Sequence, residues 1–130
     1  MRQPFALTFT IPDSMWLTSN GRYHWADKAR RTRGLRALGQ WEGKRSQIPT
    51  LNRAHITAHI TYRTGGRADP ANAYPTIKAL IDGLVDAGLL PDDDATRLLG
   101  PDMRREPGKP APSTRIVRLH VRPLGDEEDG

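Results

Sequence analysis

Residues 67–94 read RADPANAYPTIKALIDGLVDAGLLPDDD, and their spacing decides how the rest of the chain is read. Ile77, Leu80, Ile81, Leu84 and Val85 fall at the i, i+3, i+4 steps that place them on one stripe of a helix. Lys78, Asp82 and Asp86 fall four apart on another side, where Lys78 can pair with Asp82. Asn72 is the expected N-cap, Pro75 fits the first turn, and Gly88 suits a left-handed stop. Burying five such side chains contributes roughly 8 to 15 kcal/mol before ordering entropy, at about 1.5 to 3 each. Gly83, inside the helix, gives back about 1 kcal/mol. The predicted helix separates a loop carrying Asp69 from a loop carrying Asp92, Asp93 and Asp94.

Those acidic loops raise an electrostatic question, because each carboxylate pair brought to about 4 Å costs about 4 kcal/mol at an effective dielectric near 20. Either the acids splay into water as a solvated turn, or a cation sits among them. Hard oxygen ligands at the ends of a rigid element suit Mg²⁺, which needs only one or two carboxylates plus water and substrate phosphate. Lys78, between the two loops, could then offset negative charge on a phosphate oxygen as it is displaced.

Working outward, Phe5, Leu7, Phe9 and Ile11 alternate with Ala6, Thr8 and Thr10, the two-residue period of a strand that Pro12 ends. Asn52–Arg63 is a second strand, with Ala54, Ile56, Ala58, Ile60 and Tyr62 on one face and His55, Thr57, His59, Thr61 and Arg63 on the other. His55 and His59 have the spacing of a helical zinc pair, but on a strand they stand about 13 Å apart at roughly 3.3 Å per residue, so they read as a polar sheet face. Residues 26–46 read as a helix in which Trp25, Ala29, Leu35, Leu38 and Trp41 share an apolar side, with Trp25 in the core. Gly34, Gly39 and Gly43 weaken that helix and mark places for a kink or fraying. Ala95–Gly100 reads as a short strand, 101–112 as a loop, and Thr114–Arg122 as a last strand with Val117, Leu119 and Val121 inward. The expected class is α+β: a mixed sheet of about four strands packed with two main helices, in the order β-α-β-α-β-β.

At 130 residues the chain suits one domain, here residues 1–125, followed by an acidic tail at 126–130 that is expected to be disordered. There is no cysteine, so neither a disulfide framework nor a thiolate metal site is available. No stretch is apolar for the length a bilayer needs, and the chain reads as cytoplasmic. Lys and Arg number 20 against 15 Asp and Glu, four of those acids lying in the tail, so residues 1–125 carry 20 minus 11, or +9. A body so charged favours polyanions, of which nucleic acid is the commonest. The candidate contacts are Asn20, Arg22 and His24 in the loop before the first helix, and Lys28, Arg30, Arg31, Arg33 and Lys44 along it. Arg67 beside Asp69, and Arg104, Arg105 and Lys109 in the later basic loop, complete the set.

Taken together, these pieces resemble the RusA family of Holliday junction resolvases. The residues that carry the resemblance are Asp69 and Asn72, the Lys78-Ala-Leu-Ile-Asp82-Gly-Leu helix, Ala87-Gly88, Asp92-Asp93, and the earlier segment from Ser19 to Trp25. Members are small dimeric Mg²⁺-dependent endonucleases of bacteria and their phages, which implies a homodimer that resolves four-way DNA junctions by symmetric paired nicks in recombination and repair. The resemblance implies that Asp69 and Asp93 hold Mg²⁺, with Mn²⁺ as a substitute, that Asp92 flanks the metal, and that Lys78 assists at the scissile phosphate. The family pattern has a second acid immediately before the asparagine, where this chain has Ala71. Asn72, Asp92, Asp94 or water would then complete the shell, or the protein would bind junctions without cutting them.

Overall fold

In a computed structural model, residues 3–63, 68–92, 94 and 96–125 are described. The chain runs through β1 (Phe5–Pro12), a 3-10 turn (Asp13–Met15), α1 (Trp25–Arg45), β2 (Arg53–Thr61), a second 3-10 turn (Pro70–Ala73), α2 (Tyr74–Asp86), β3 (Leu98–Arg105) and β4 (Thr114–Leu124). The strands form a mixed sheet in the order β1-β4-β2-β3, with β4 antiparallel to both neighbours and β2 parallel to β3. Two helices and four strands make the fold α+β, in the order β-α-β-α-β-β. Asp93, Arg67 and the tail at 126–130 lie outside the described residues.

The alternation of the strands sets the core. Leu7, Phe9 and Ile11 of β1, Ala54, Ile56, Ala58 and Ile60 of β2, and Val117, Leu119 and Val121 of β4 are all buried in one cluster. Ile77, Leu80, Ile81 and Leu84 of α2 and Leu35 of α1 fill it from the helical layer. Thr76 is also fully buried, and its hydroxyl accepts from the Leu17 N–H and donates to the Leu17 C=O, both at 2.8 Å, tying the loop after β1 to α2. Thr76→Val strands two buried backbone groups, so stability should fall by about 1–3 kcal/mol. A lower urea midpoint at unchanged slope would show it.

Three expectations give way. The third strand is not a short segment followed by a loop from 101: β3 continues to Arg105, so Arg104 and Arg105 stand on a strand. Pro101 is tolerated because β3 is an edge strand and the β2–β3 register shifts between His55 and Thr57, where a missing N–H costs no ladder bond. Asn72 does not cap α2. Asp69 caps the 3-10 turn ahead of the helix, and Ala73 takes the N-cap position of α2 itself. Trp25 is not in the core but 77% exposed, and Trp41 is 59% exposed against Arg45, whose guanidinium stands 5.5 Å from its ring centroid.

The inward face of α1 is built from Leu35, Gly39, Glu42 and Gly43, and the helix runs unbroken through its glycines. A Cβ on Gly83 would lie 2.1 Å from the Arg36 carbonyl oxygen, and one on Gly39 would lie 2.2 Å from that of Leu80. Two of the glycines that read as weak points, Gly39 and Gly83, are therefore where the two helix backbones touch. Arg36 and Asp86 close the exposed side of this crossing with paired hydrogen bonds of 2.6 and 2.8 Å, which hold the Asp86 carboxyl below its ordinary value.

Candidate metal centre and nucleic-acid interface

Gly39 meets Leu80 and Gly83, and Gly43 meets Leu84 and Ala87, so positions rise together and α1 and α2 run parallel. Their N-termini consequently share one end of the molecule. β1, β2 and β3 run in a common direction, and that same end collects their C-termini: Arg105, closing β3, donates to the Ala68 carbonyl at 3.2 Å. A crevice beyond the carboxyl ends of parallel strands is where α/β architectures commonly bind ligands. Here it is a cleft of about 340 Å³ walled by Asp13, Trp16, Thr18, Asn20, Tyr62, Arg63, Ala68, Asp69, Asn72, Ala73, Thr114 and Arg115.

Asp69 is exposed in this wall. Its Oδ1 accepts the Ala71 N–H at 3.0 Å, and its Oδ2 has no partner among the described residues. The Asn72 N–H donates to the Asp69 carbonyl at 3.0 Å, and the Asn72 carbonyl accepts the Ser19 N–H at 2.8 Å, so the loop bearing Asn20 is stitched to the turn bearing Asp69. Arg63 and Arg115 line the wall; Arg115 pairs with Asp13 and stands 5.0 Å from the Trp16 ring centroid, and Arg105 stands 5.0 Å from the ring centroid of Tyr62. Burial pushes the Tyr62 hydroxyl up, with Arg115 and Arg105 pulling the other way.

The remaining acids occupy different ground. Lys78 is exposed and pairs with Asp82 at 2.7 Å. It lines a cleft of about 200 Å³ with Tyr74, Asp82, Asp94 and Pro101, and a neighbouring one with Arg36, Asp86 and Asp92. The Asp92 Oδ1 accepts the Asp94 N–H at 2.9 Å and lies 3.2 Å from Arg97 Nε. Asp94 accepts from the Thr96 N–H and hydroxyl at 2.9 and 2.8 Å, and these bonds hold its carboxyl below the ordinary value. Asp69 thus lies with Asn20 and Asn72, and Lys78 with Asp92 and Asp94, in clefts that share no wall residue but meet in sequence at Ala73 and Tyr74. Among the described residues no three His, Asp or Glu side chains converge as a metal cluster. The side-chain oxygens that Asp69, Asn20 and Asn72 bring to the cleft lining are of the hard type that suits Mg²⁺.

The expected DNA contacts divide in the same way. Asn20 lines the Asp69 cleft, and Arg22, His24 and Lys28 cluster at the start of α1. Arg30 and Arg31 are committed to Asp27 at 2.7 and 2.9 Å, and Arg31 also donates to the Asp13 and Trp16 carbonyls, so these two brace the fold. Arg33 is exposed on α1, and Lys109 is exposed in the loop between β3 and β4. Lys44 stands at the far end of α1, roughly 28 Å from Trp25 at 1.5 Å per residue. Sequence reasoning misses Asp13, Tyr62, Arg63 and Arg115 as residues of this cleft. Asp13 and Arg115 meet only because β1 pairs with β4 in the register Pro12 to Thr114, which no local pattern reveals.

The sheet face away from the helices is polar. His55 bonds Asp102 at 2.6 Å, Arg118 pairs with Glu106, Arg104 is exposed, and the His59 and His120 rings stand 4.5 Å apart. His120 Nε2 is buried without a partner among the described residues. Burial pulls the His59 pKa down, and His120, Arg118 and Arg104 add to the effect. The unfolded chain therefore takes up a proton that folded His59 refuses. Stability should decline as pH falls from about 7.5 to 5.5, and His59→Gln should flatten that part of the profile in urea titrations across pH.

No helix among the described residues is long and apolar enough to cross a membrane. No protein-family model matches this chain, and no curated protein matches it. Among solved structures, the crystal structure of hydrogenase maturation protein HypE aligns at 8% identity over 98% of this chain and 34% of that one, with a TM-score of 0.31. This chain spans about a third of that chain's length, and at that score the likeness carries no argument about fold or function.

Proposed function

We propose that this protein is a Mg²⁺-dependent, structure-specific DNA endonuclease that resolves four-way junctions by paired nicks, working as a homodimer on bacterial or phage DNA in the cytoplasm. The observation that carries the reading is the open Oδ2 of Asp69, presented with Asn20 and Asn72 in a cleft walled by Arg63 and Arg115. A carboxylate among guanidinium groups is arranged to hold a cation while its neighbours hold phosphate. Two-fold symmetry in a dimer would match the two-fold symmetry of the junction.

In this reading Asp69 and Asp93 would hold the metal, with Asn72 beside Asp69, while Asp92 and Asp94, which line the neighbouring clefts with Lys78, would supply further oxygens or orient its waters. Mg²⁺ held there would supply Lewis acidity toward the scissile phosphate and lower the pKa of a water. Arg63, exposed in the cleft wall, would bind the backbone, while Arg115 is held by Asp13. Lys78, paired with Asp82 at rest, would exchange it for phosphate and offset charge on the departing oxygen.

A second reading, a junction-binding protein without nuclease activity, is favoured by Ala71 and by the turn hydrogen bonds that already occupy Asp92 and Asp94. One gel separates the two readings: a labelled four-way junction and a matched linear duplex, each with Mg²⁺ or chelator, treated with wild type, Asp93→Asn and Ala71→Asp. Paired, metal-dependent nicks on the junction alone, lost in Asp93→Asn, support the resolvase. Binding without nicks, converted to cutting by Ala71→Asp, supports the second reading. For about six phosphate contacts, log affinity should fall with log salt at a slope near −5, and a flat response would count against nucleic acid altogether.

A further inference from the structure

From the start of α1 we infer that Trp25 is a stacking platform for an unpaired DNA base beside the Asp69 cleft, an inference that rests on the nucleic-acid reading above and specifies which part of the DNA is held. Trp25 is the first residue of α1 and is 77% exposed, on a helix whose core contacts are made elsewhere. Its ring is backed on one side by His24, with centroids 5.6 Å apart and planes inclined by 31°. His24 is itself fixed, since its Nδ1 accepts the Ala26 N–H at 3.2 Å and caps the helix. The indole is therefore displayed outward with one face braced.

The loop that delivers it is pinned at both ends. The Ser19 N–H bonds the Asn72 carbonyl, while the Tyr23 ring lies 5.3 Å from the Arg31 guanidinium and its hydroxyl oxygen accepts the Thr18 N–H at 3.1 Å. Counting back from the Gly39 contacts with Leu80 and Gly83, α1 begins five to eight residues beyond the start of α2. At 1.5 Å per residue Trp25 projects roughly 8 to 12 Å past Tyr74, on the end where Asp69 sits.

Charge identifies the occupant. Arg22, Lys28 and Arg33 are exposed and pair with no acid among the described residues, while the one acid nearby, Asp27, is held by Arg30 and Arg31. Exposed aromatic rings within basic surroundings are how proteins hold single strands: the cations follow the backbone and the rings take the bases. Trp41, by contrast, is capped by Arg45 and lies at the other end of the helix. A branch point offers unstacked bases that a linear duplex does not, so this platform would distinguish the two by shape.

The test is binding in chelator, where cutting plays no part. Oligothymidylate should quench tryptophan emission of the wild type. Trp25→Ala should bind it roughly 5- to 150-fold more weakly, the range expected for one base–aromatic stack. Trp25→Phe should keep most of the affinity while losing the quench, and Trp41→Phe should behave as wild type. Matched linear duplex should bind Trp25→Ala and wild type alike. Unchanged affinity and quench in Trp25→Ala would overturn the inference, as would wild type failing to bind oligothymidylate. So would a sedimentation shift from dimer to monomer in Trp25→Ala, which would make this surface a protein contact. Wild type that cuts junctions yet shows no Trp25-dependent binding of oligothymidylate rejects this inference alone, and stacking without any cutting rejects only the nuclease.

Discussion

Asp69→Asn is expected to reduce Mg²⁺-dependent cutting of a four-way junction by roughly 100-fold or more, since losing even an outer partner of a metal site costs about 10- to 100-fold. The substitution is close to isosteric, so it isolates charge from shape. The amide oxygen of the new side chain would still accept the Ala71 N–H, and the 3-10 turn at Pro70–Ala73 should persist. What disappears is the negative charge that Asp69 brings to the cleft it lines with Asn20 and Asn72. Junction affinity in chelator should hold or rise, because a carboxylate near phosphate is removed. Cutting rates and gel-shift affinities measured on one preparation give both numbers. Equal loss of cutting and binding would mean that Asp69 acts by shaping the cleft, and undiminished cutting would end its role as a metal ligand.

Gly83→Ala should destabilise the fold by about 2–3 kcal/mol, opposite in sign to the gain of about 1 kcal/mol that the same change brings in an isolated helix. The added methyl would meet Arg36 O at 2.1 Å, Gln40 N at 2.7 Å and Gly39 Cα at 2.9 Å, all backbone atoms that cannot rotate away. Relief requires the helices to part, which loosens Leu35, Leu80 and Leu84 in the shared core. Gly34→Ala is the control, because its methyl would meet only the terminal carbon of Met15 at 2.5 Å, the movable end of a side chain. Urea titration of the pair should show a large drop for Gly83→Ala and little change or a gain for Gly34→Ala. Equal stabilities would refute a backbone-to-backbone crossing.

The same glycines explain where sequence reading works and where it stops. β1, β2 and β4 are legible because Leu7, Ile56 and Leu119 sit in strict alternation with less buried neighbours, and one buried face suffices to write that pattern. α2 is legible for the equivalent reason at helical period. On α1 the inward face is largely glycine, which no hydrophobic pattern can report, so Trp25 and Trp41 draw the apolar side to the wrong place. β3 reads short because Gly100 and Pro101 look like a break, whereas an edge strand at a register shift absorbs both. Asp69 is visible as a loop acid. Its neighbours Asp13, Tyr62 and Arg115 belong to elements far away in the chain, and only the pairing of β1 with β4 brings Arg115 to Asp13.

That pairing also sets a timetable for synthesis. β4 lies between β1 and β2 and is the last described element to leave the ribosome, yet Phe5 waits opposite Val121 from the start. At about 5 to 20 residues per second, β1 spends roughly 5 to 20 s without the strand it pairs with. Helices can form in that interval, but the sheet cannot close before Thr114–Leu124 arrives. A nascent chain halted ahead of Thr114 should therefore expose Leu7, Phe9 and Ile11 to chaperones, and the emergence of β4 decides whether the four strands ever become one sheet.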